Sequence, residues 1–249
     1  MSIRVIYCHG LPGSTAELSA FGVPQDVAHI HCLDRFSRST GAYERDLLAA
    51  FDALNLTAPT TVAGFSLGAM SAMHLAARRP HLVSKLILVS PAAPLQLGNF
   101  LGSMAGKPVF EAAQRGASSL RILTGLQAIM ASIAPKLVIR TMFQKSAAKD
   151  RKLLESMAFL DMLVDALRTS LGSHQAAYRA ELLAYVRPWA HIVDGVRCPV
   201  KIWQGSADTW TPPAMALALN QRLGDLASLE ICPEHAHYST LGAALSHLT

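Results

Sequence analysis

Charged and aromatic residues are scarce in this sequence. Only 16% of its 249 residues are charged and 6% are aromatic, whereas 51% are hydrophobic. This balance excludes a disordered chain and indicates a compact protein with a sizeable buried core. The net charge of +5 is modest, and the aromatic interleaving that single-stranded nucleic acid binding requires is missing, which argues against nucleic acid as a partner.

Long apolar runs and cysteine clusters are also missing. No uninterrupted apolar stretch has the length of a membrane span, so we expect no membrane-spanning segment. The N-terminus lacks the succession of basic, apolar and small residues that marks a signal peptide, and we expect a cytoplasmic protein. The four cysteines have neither zinc nor disulfide spacing, and we interpret them as packing residues: Cys8, Cys32, Cys198 and Cys232. Without a metal-ligand cluster or a phosphate-binding glycine loop, we expect no metal and no cofactor.

Short apolar runs alternate with helical segments over most of the chain. The predicted strands are Ile3–Cys8, Ala28–Leu33, Thr60–Phe65, Lys85–Ser90, Val200–Gln204 and Ser228–Ile231. The predicted helices are Thr15–Phe21, Tyr43–Leu54, Leu67–Arg79, Pro213–Leu223 and Leu241–Leu248. Strands that alternate with helices indicate an α/β fold with a mostly parallel sheet flanked by helices.

The alternation is interrupted between residues 95 and 190, where no strand is predicted and Gly, Pro and Ser divide several helical runs. The clearest of these runs is Asp150–Leu171, in which apolar residues recur every three or four positions. We therefore expect an α/β core in two parts, residues 1–94 and 191–249, with residues 95–190 inserted as an all-helical cap.

The inserted segment is rich in methionine and in basic residues. We interpret most of its methionines as packing residues and one or two as candidates for an adaptable apolar pocket: Met104, Met130, Met142, Met157 and Met162. The basic residues from Lys136 to Lys152 could attract an anionic substrate or a membrane surface. A charge run is more often the solvated face of helices, which is the interpretation we favour here.

The most informative stretch is Gly64-Phe65-Ser66-Leu67-Gly68, between a predicted strand and a predicted helix. So tight a turn brings two backbones together, which requires small residues on either side and pushes the central residue to positive φ. Ser66 would then project its hydroxyl outward, while the N–H of Leu67 would face a developing oxyanion. This context favours Ser66 as a nucleophile over the alternative of an ordinary turn with a solvated serine.

A serine nucleophile needs a base, and the base needs a carboxylate that fixes its tautomer. Asp208 follows one of the late predicted strands, and His235 and His237 follow the last one. Open parallel sheets bind ligands at the loops beyond the carboxyl ends of their strands, where we expect these residues to meet. Asp208 could also be a turn-forming residue, and both histidines are candidates for the base.

Together these features resemble an α/β-hydrolase-fold serine hydrolase with a helical cap. The likeness covers nearly the whole chain: a His-Gly turn after the first strand, the serine turn, a Gly-x-x-Asp stretch before two prolines, and a late histidine. The resemblance implies that Asp208 is the acid and that His237 is the base. The Ala-His-Tyr-Ser frame of His237 fits the family better than the frame of His235, which is the second choice.

The resemblance also implies roles for the turn after the first strand. It makes the N–H of Leu11 the second oxyanion donor beside Leu67, since Pro12 has no N–H, and it makes His9 structural. The family's antiparallel hairpin before this strand is missing, so we expect a shortened sheet. The family's usual glycine-rich turn after the second strand is replaced by residues 34–39, a basic loop that could touch substrate or lie on the surface.

These residues predict a serine hydrolase that cleaves a carboxylic ester or related acyl compound with a small to medium hydrophobic group, through an acyl-enzyme. The resemblance also implies that epoxide hydrolases and dehalogenases of this fold are disfavoured. Their nucleophile is an aspartate, whereas this chain has Ser66 at that position. The same triad could serve acyl transfer, carbon–carbon bond hydrolysis or a lyase step. A small-molecule receptor without turnover is a further alternative, against which the complete triad argues. The expected partner is a small-molecule substrate. The sequence carries no signal for a particular oligomeric state.

Overall fold

The computed structural model of the chain describes residues 4–23, 29–37 and 39–248. These residues contain six strands: β1 Val5–Cys8, β2 Ile30–Cys32, β3 Thr60–Phe65, β4 Val83–Val89, β5 Val200–Gly205 and β6 Ala227–Cys232. They form one sheet in the order β2-β1-β3-β4-β5-β6, and every pairing is parallel. The predicted α/β fold with a parallel sheet is confirmed. Ile3 and Ala28, at the ends of two predicted strands, lie outside the described residues.

The central strands are covered on both faces. Residues 62–65 of β3 and 86–89 of β4 are buried consecutively, without the alternation of a half-exposed strand. Such burial is typical of parallel strands between two layers of helices. The register pairs Gly64 with Cys8 on one side and with Leu88 on the other, so these strands end together at one edge of the sheet.

Eleven α-helices lie within the described ranges. They are α1 Tyr43–Asp52, α2 Gly68–Arg78, α3 Lys107–Arg115, α4 Ala117–Ile133, α5 Pro135–Met142, α6 Ala148–Leu153, α7 Met157–Arg168, α8 Gln175–Val186, α9 Ala190–Val193, α10 Pro213–Leu223 and α11 His237–Ala244. Short 3₁₀ turns occupy Glu17–Phe21, Leu95–Leu97, Leu101–Ser103, Gly224–Leu226 and Leu245–His247, and a π turn occupies Thr169–Ser173. The helices predicted to begin near Tyr43, Leu67 and Pro213 are confirmed, whereas the segment predicted at Thr15–Phe21 is a 3₁₀ turn.

Helix α2 lies directly on the sheet. It contacts β1, β3 and β4, and its small residues Ala69, Ala72 and Ala76 are almost completely buried. Small side chains let the helix axis approach the strands closely. This close packing holds the turn between β3 and α2 against the carboxyl end of the sheet.

The segment between β4 and β5 is helical, as predicted, and no strand occurs among residues 90–199. Its buried apolar side chains join those of the sheet in a single cluster. The prediction of one helix over Asp150–Leu171 is wrong. The chain forms α6 and α7 instead, because the hydroxyl of Ser156 accepts a hydrogen bond from Phe159 N and starts a second helix. The domain bounds predicted for this insertion stay a prediction.

The last helix differs from the predicted Leu241–Leu248. It begins at His237 and ends at Ala244, with a 3₁₀ turn after it. The earlier start has a physical reason, because the carboxylate of Asp150 accepts hydrogen bonds from the N–H groups of Tyr238 and Ser239.

No single described helix is long and apolar enough to cross a membrane. Helices α4 and α5 pass that test only as a pair, and a bend of 118° separates them.

Candidate active site

Ser66 lies on the turn between β3 and α2 with a φ of 55°. A residue with a side chain adopts this left-handed conformation only where its surroundings impose it. A Cβ on Gly64 would lie 2.5 Å from Gly68 O, and a Cβ on Gly68 would collide with the carbonyl oxygen of Cys8. Both glycines are therefore required by the close approach of backbones, and the positive φ expected for Ser66 is confirmed.

Ser66 lines a cavity of about 230 Å³ together with Leu11 and Leu67. Within the described part of the chain, neither the N–H of Leu11 nor that of Leu67 donates a hydrogen bond. Two free N–H groups beside a serine hydroxyl are what stabilisation of an oxyanion requires. The hydroxyl of Ser66 itself also makes no hydrogen bond to a described residue, and its side chain is available to a ligand in the cavity.

His237 and Asp208 are brought together by the ends of β5 and β6. Nδ1 of His237 lies 2.8 Å from Oδ2 of Asp208, and both side chains are buried. The other carboxylate oxygen of Asp208 accepts hydrogen bonds from Trp210 N at 2.8 Å and Thr211 N at 3.0 Å. This arrangement fixes the carboxylate and assigns the hydrogen of the imidazole to Nδ1, which leaves Nε2 as an acceptor.

Trp210 and Thr211 support the same pair and were missed by sequence reasoning. The indole ring of Trp210 stacks on the imidazole of His237 with a centroid distance of 5.5 Å and an interplanar angle of 10°. Oγ1 of Thr211 lies 3.0 Å from Asp208 Oδ2 and 3.2 Å from His237 Nδ1. The signal available in the sequence was their position in the turn directly after Asp208, where an aspartate often binds the following backbone N–H groups.

His235, the second choice for the base, lies apart from the carboxylate. It is only half-buried, and its Nδ1 is 2.9 Å from Pro233 O and 3.2 Å from Lys149 Nζ. Of the two histidines, only His237 contacts Asp208. The geometry therefore favours His237 as the base.

Asp150 holds the helix that carries His237. It belongs to α6 in the inserted segment, is fully buried, and accepts hydrogen bonds from Tyr238 N at 2.9 Å and Ser239 N at 2.7 Å. Sequence reasoning placed Asp150 in a basic run and at the start of a helical run, and gave it no role in the site. The signal was that Asp150 is the one acidic residue between Lys136 and Lys152.

Glu17 is a second buried carboxyl group beside the site. Tyr7 OH donates a hydrogen bond to its Oε2 at 2.6 Å, and Gly10 N donates to the same oxygen at 3.0 Å. Its Oε1 has no partner among the described residues. Burial raises the pKa of Glu17 to about 7, and the hydrogen bond from Tyr7 opposes that rise. Glu17 therefore holds the His-Gly turn through the N–H of Gly10, and its raised pKa lies near neutral pH.

In the loop at residues 34–39, Arg35 contacts the inserted helices, whereas Asp34 and Ser37 are exposed. Arg35 is buried, donates to both carboxylate oxygens of Glu181 on α8 at 2.9 and 3.3 Å, and donates to His9 O at 3.1 Å. Burial raises the pKa of Glu181, and the attraction of Arg35 opposes this rise. Arg35 thus neither lines the cavity nor lies on the surface, and Arg38 lies outside the described residues.

His9 has no contact with the His237 pair. Its Nδ1 lies 2.7 Å from Gly10 O, and burial, reinforced by the charge of Arg35, holds the pKa of His9 well below its usual value. A neutral, buried imidazole in this turn fits the structural role expected for His9.

The rest of the cavity wall is mostly apolar and comes mainly from the inserted helices. Met104, Phe110, Val138, Met142 and Leu167 line it on that side, and Trp210 lines it on the sheet side. No charged side chain is among its described lining residues. Two methionines thus face the cavity, whereas Met130 and Met157 are more than half exposed, so the packing interpretation is wrong for those two. No described group of three or more His, Cys, Asp or Glu residues could hold a metal ion.

A parallel sheet with a strained serine turn and a His–Asp pair at its carboxyl edge defines a hydrolase of the α/β-hydrolase class. Three solved structures share the fold. An esterase from Thermogutta terrifontis, with malate bound, is 15% identical with a TM-score of 0.66, and the match covers 100% of this chain and 89% of that one. An enol-lactonase from Burkholderia xenovorans is 14% identical with a TM-score of 0.64 and coverages of 99% and 88%. A bromoperoxidase from Bacillus anthracis is 14% identical with a TM-score of 0.62 and coverages of 100% and 88%.

The chain belongs to the family described as Hydrolase_4, serine aminopeptidase S33, whose model matches residues 34–241. The matched range contains Ser66, Asp208 and His237, and it begins after Leu11. No curated protein sequence matches the chain. The three solved structures carry different activities at low identity, so they show the fold and leave the substrate open.

Proposed function

We propose that the chain is a serine hydrolase that cleaves carboxylic esters or related acyl compounds through Ser66, His237 and Asp208. The observation that carries the proposal is the 2.8 Å contact between His237 Nδ1 and Asp208 Oδ2, beside the cavity that Ser66 lines. A serine hydroxyl is a weak nucleophile without a base, and a base is most effective when a carboxylate fixes its tautomer.

In the acylation step, His237 Nε2 takes the proton of Ser66 Oγ as that oxygen attacks the carbonyl carbon of the substrate. The N–H groups of Leu11 and Leu67 stabilise the negative charge on the carbonyl oxygen. The bond to the leaving alcohol then breaks, and His237 gives the proton to the alcohol oxygen. In the second step, His237 takes a proton from water as the water oxygen attacks the carbonyl carbon of the acyl-enzyme. The bond to Ser66 Oγ then breaks, His237 returns the proton to that oxygen, and the acid is released.

The cavity supports an apolar acyl group as the substrate. The family's name refers to an aminopeptidase, whose substrates carry a charged amino terminus. No charged side chain lines the described cavity wall, and an unpaired cation is costly to bury in apolar surroundings. We therefore assign the apolar wall to the acyl chain, and we propose that residues 95–190, which supply most of this wall, act as a cap that selects it. A cytoplasmic location stays a prediction.

Labelling with a fluorophosphonate, followed by intact mass, tests the nucleophile and the base. We expect wild type and His235→Ala to be labelled, and Ser66→Ala and His237→Ala to remain unlabelled. His235→Ala is the matched control, since it removes a neighbouring imidazole that does not contact Asp208. Labelling that survives in Ser66→Ala would refute Ser66 as the nucleophile.

Turnover of p-nitrophenyl acyl esters, compared with amino-acyl p-nitroanilides, tests the substrate class. We expect the uncharged esters to be hydrolysed and the charged anilides to be poor substrates. Ser66→Ala is expected to lose about 10⁴-fold or more of kcat/KM. Preference for the amino-acyl anilides would reject the ester assignment and favour a peptidase.

A further inference from the structure

Helix α4 carries an apolar face that no described part of the chain covers. Its side chains, spaced three or four residues apart, are 51% to 77% exposed, and the stripe continues on α5 beyond the bend. We call this the α4–α5 face, formed by Ile122, Leu126, Ile129, Met130, Ile133 and Leu137. The opposite side of α4 packs inward through Leu120, Thr124 and Ala131. Six of the ten exposed large hydrophobic residues among the described residues thus lie on α4 and α5, and the five on α4 share the side opposite its buried residues.

The α4–α5 face lies in a stretch of sequence whose charged residues are all basic. No Asp or Glu occurs between residues 112 and 149. Five exposed cations in this stretch form no ion pair with a described residue: Arg115, Arg121, Lys136, Arg140 and Lys145. Lys149 differs, because it is half-buried and lies 3.9 Å from a carboxylate oxygen of Glu234. The exposed cations are therefore available to a negatively charged partner.

We propose that the α4–α5 face is a docking surface for an anionic lipid bilayer. A helix with aliphatic side chains on one face and Lys or Arg beside them binds at the boundary of headgroups and acyl chains. Anionic headgroups attract the cations, and the aliphatic side chains enter the interface. The basic run that suggested only a solvated face in the sequence thus accompanies an apolar stripe in the structure.

Other occupants fit this face less well. Protein interfaces are enriched in aromatic residues, and the α4–α5 face has none. In a two-fold dimer formed through this face, the cations of one copy would meet those of the other, which is unfavourable. Charge complementarity therefore selects an anionic bilayer over a second copy of the chain.

The docking helices also reach the cavity. Gln127 of α4, and Val138 and Met142 of α5, line the cavity that Ser66 faces. Given the proposed function, on which this step depends, docking would present an acyl compound dissolved in the bilayer to the same helices that form the cavity wall.

Vesicle co-sedimentation tests the docking independently of catalysis, since it uses the Ser66→Ala protein. Vesicles of equal parts phosphatidylglycerol and phosphatidylcholine are compared with vesicles of phosphatidylcholine alone. We expect binding to the anionic vesicles and a loss of that binding at high salt, because salt screens the attraction of exposed charges. Binding that fails on both vesicles overturns the proposal without affecting the proposed function, which labelling of Ser66 tests separately.

Matched variants locate the surface. Leu126 on α4 is 60% exposed and Leu217 on α10 is 55% exposed, so Leu126→Asp and Leu217→Asp make the same chemical change at two comparable helical sites. We expect Leu126→Asp to weaken vesicle binding about tenfold or more, since it places a charge in the apolar interface, and Leu217→Asp to bind as well as the parent. Equal binding by the two variants overturns the assignment to this face.

Removal of cations provides a second test. Lys136→Ala and Arg140→Ala are each expected to weaken binding to the anionic vesicles about fivefold, whereas Lys85→Ala, at an exposed lysine on β4, is expected to have no effect. Light scattering completes the experiment. A dimer that Leu126→Asp dissociates, in a protein that binds no vesicles, would show that a second copy covers the face and would overturn the proposal.

Discussion

The two sides of the cavity differ in chemistry. On the sheet side, buried polar groups are fixed by short hydrogen bonds, as in the pair formed by Asp208 and His237. On the side of the inserted helices, most of the wall consists of apolar side chains such as Met104 and Leu167, and no described lining residue is charged. Fixed polar groups suit a reaction that must be repeated on each substrate, and an apolar wall suits recognition of the group that varies between substrates.

Buried polar contacts join these sides, and two of them involve charged side chains of the inserted helices. Arg35, in the loop after β2, pairs with Glu181 of α8, and Asp150 of α6 binds the N–H groups at the start of α11. Both contacts end at residues that carry or adjoin the site, since Arg35 also binds His9 O. The inserted helices therefore position residues on the sheet side as well as covering the cavity. Variants that remove these contacts should show how much each contact contributes to stability and to positioning.

The largest effect is expected from breaking the buried ion pair. Glu181→Leu leaves the guanidinium of Arg35 buried without its carboxylate, and we expect the free energy of unfolding to fall by about 3–5 kcal/mol. Urea unfolding followed by circular dichroism measures this change. The double variant with Arg35→Met is expected to recover much of the loss, because no unpaired charge then remains buried.

The surface pair between Asp194 and Arg222 is the matched control. It has the same kind of bidentate contact, at 2.7 Å, but both side chains are about half exposed. Asp194→Leu is expected to cost about 1 kcal/mol or less, since exposed pairs contribute little. A cost for Asp194→Leu equal to that for Glu181→Leu would contradict the role of burial.

A smaller effect is expected at Asp150. Asp150→Ala leaves two N–H groups of α11 without their acceptor, which should lower the free energy of unfolding by about 1–3 kcal/mol. Because α11 carries His237, we also expect kcat for an ester to fall more than KM changes. Asp161→Ala, at an exposed position on α7, is the control. An unchanged kcat in a destabilised Asp150→Ala protein would limit Asp150 to a structural role.

The sheet could be predicted because each of its strands has a strong local signal. Thr60–Phe65 and Pro213–Leu223 match the observed strand and helix at both ends, since a glycine turn and a proline fix their bounds. The bounds of α11 could not be predicted in the same way. They depend on Asp150, which lies far away in sequence and contacts α11 through the tertiary structure.

The site follows the same division. Asp208 and the pair His235 and His237 could be chosen from their positions at the ends of strands, and the family resemblance favoured His237, which the structure brings into contact with Asp208. Arg35 and Glu17 could not be assigned, because a charged residue in a loop or a short helical turn is usually exposed and nothing local indicates that it is buried. Their partners are supplied by other segments, Glu181 for Arg35 and Tyr7 for Glu17.

The smallest expected effect is a pH dependence due to Glu17. Burial raises the pKa of this carboxyl group to about 7 from an ordinary 4.5, so the folded chain holds a proton that the unfolded chain releases between these values. The stabilisation from protonated Glu17 is complete below pH 4.5 and is lost as the pH rises through about 7. In this window we expect Glu17 to lower the free energy of unfolding by up to about 1.4 kcal/mol per pH unit.

Glu17→Gln isolates the contribution of Glu17 to the pH dependence of stability, since the amide keeps an oxygen for the N–H of Gly10 but cannot ionise. Urea unfolding at a series of pH values should show wild type losing stability relative to Glu17→Gln from about pH 5 to about pH 7, with a constant difference at higher pH. Glu155→Gln removes an exposed carboxyl group and should retain the wild-type slope. Parallel curves for wild type and Glu17→Gln would mean that Glu17 does not titrate in this range and would overturn the raised pKa of this buried carboxyl group.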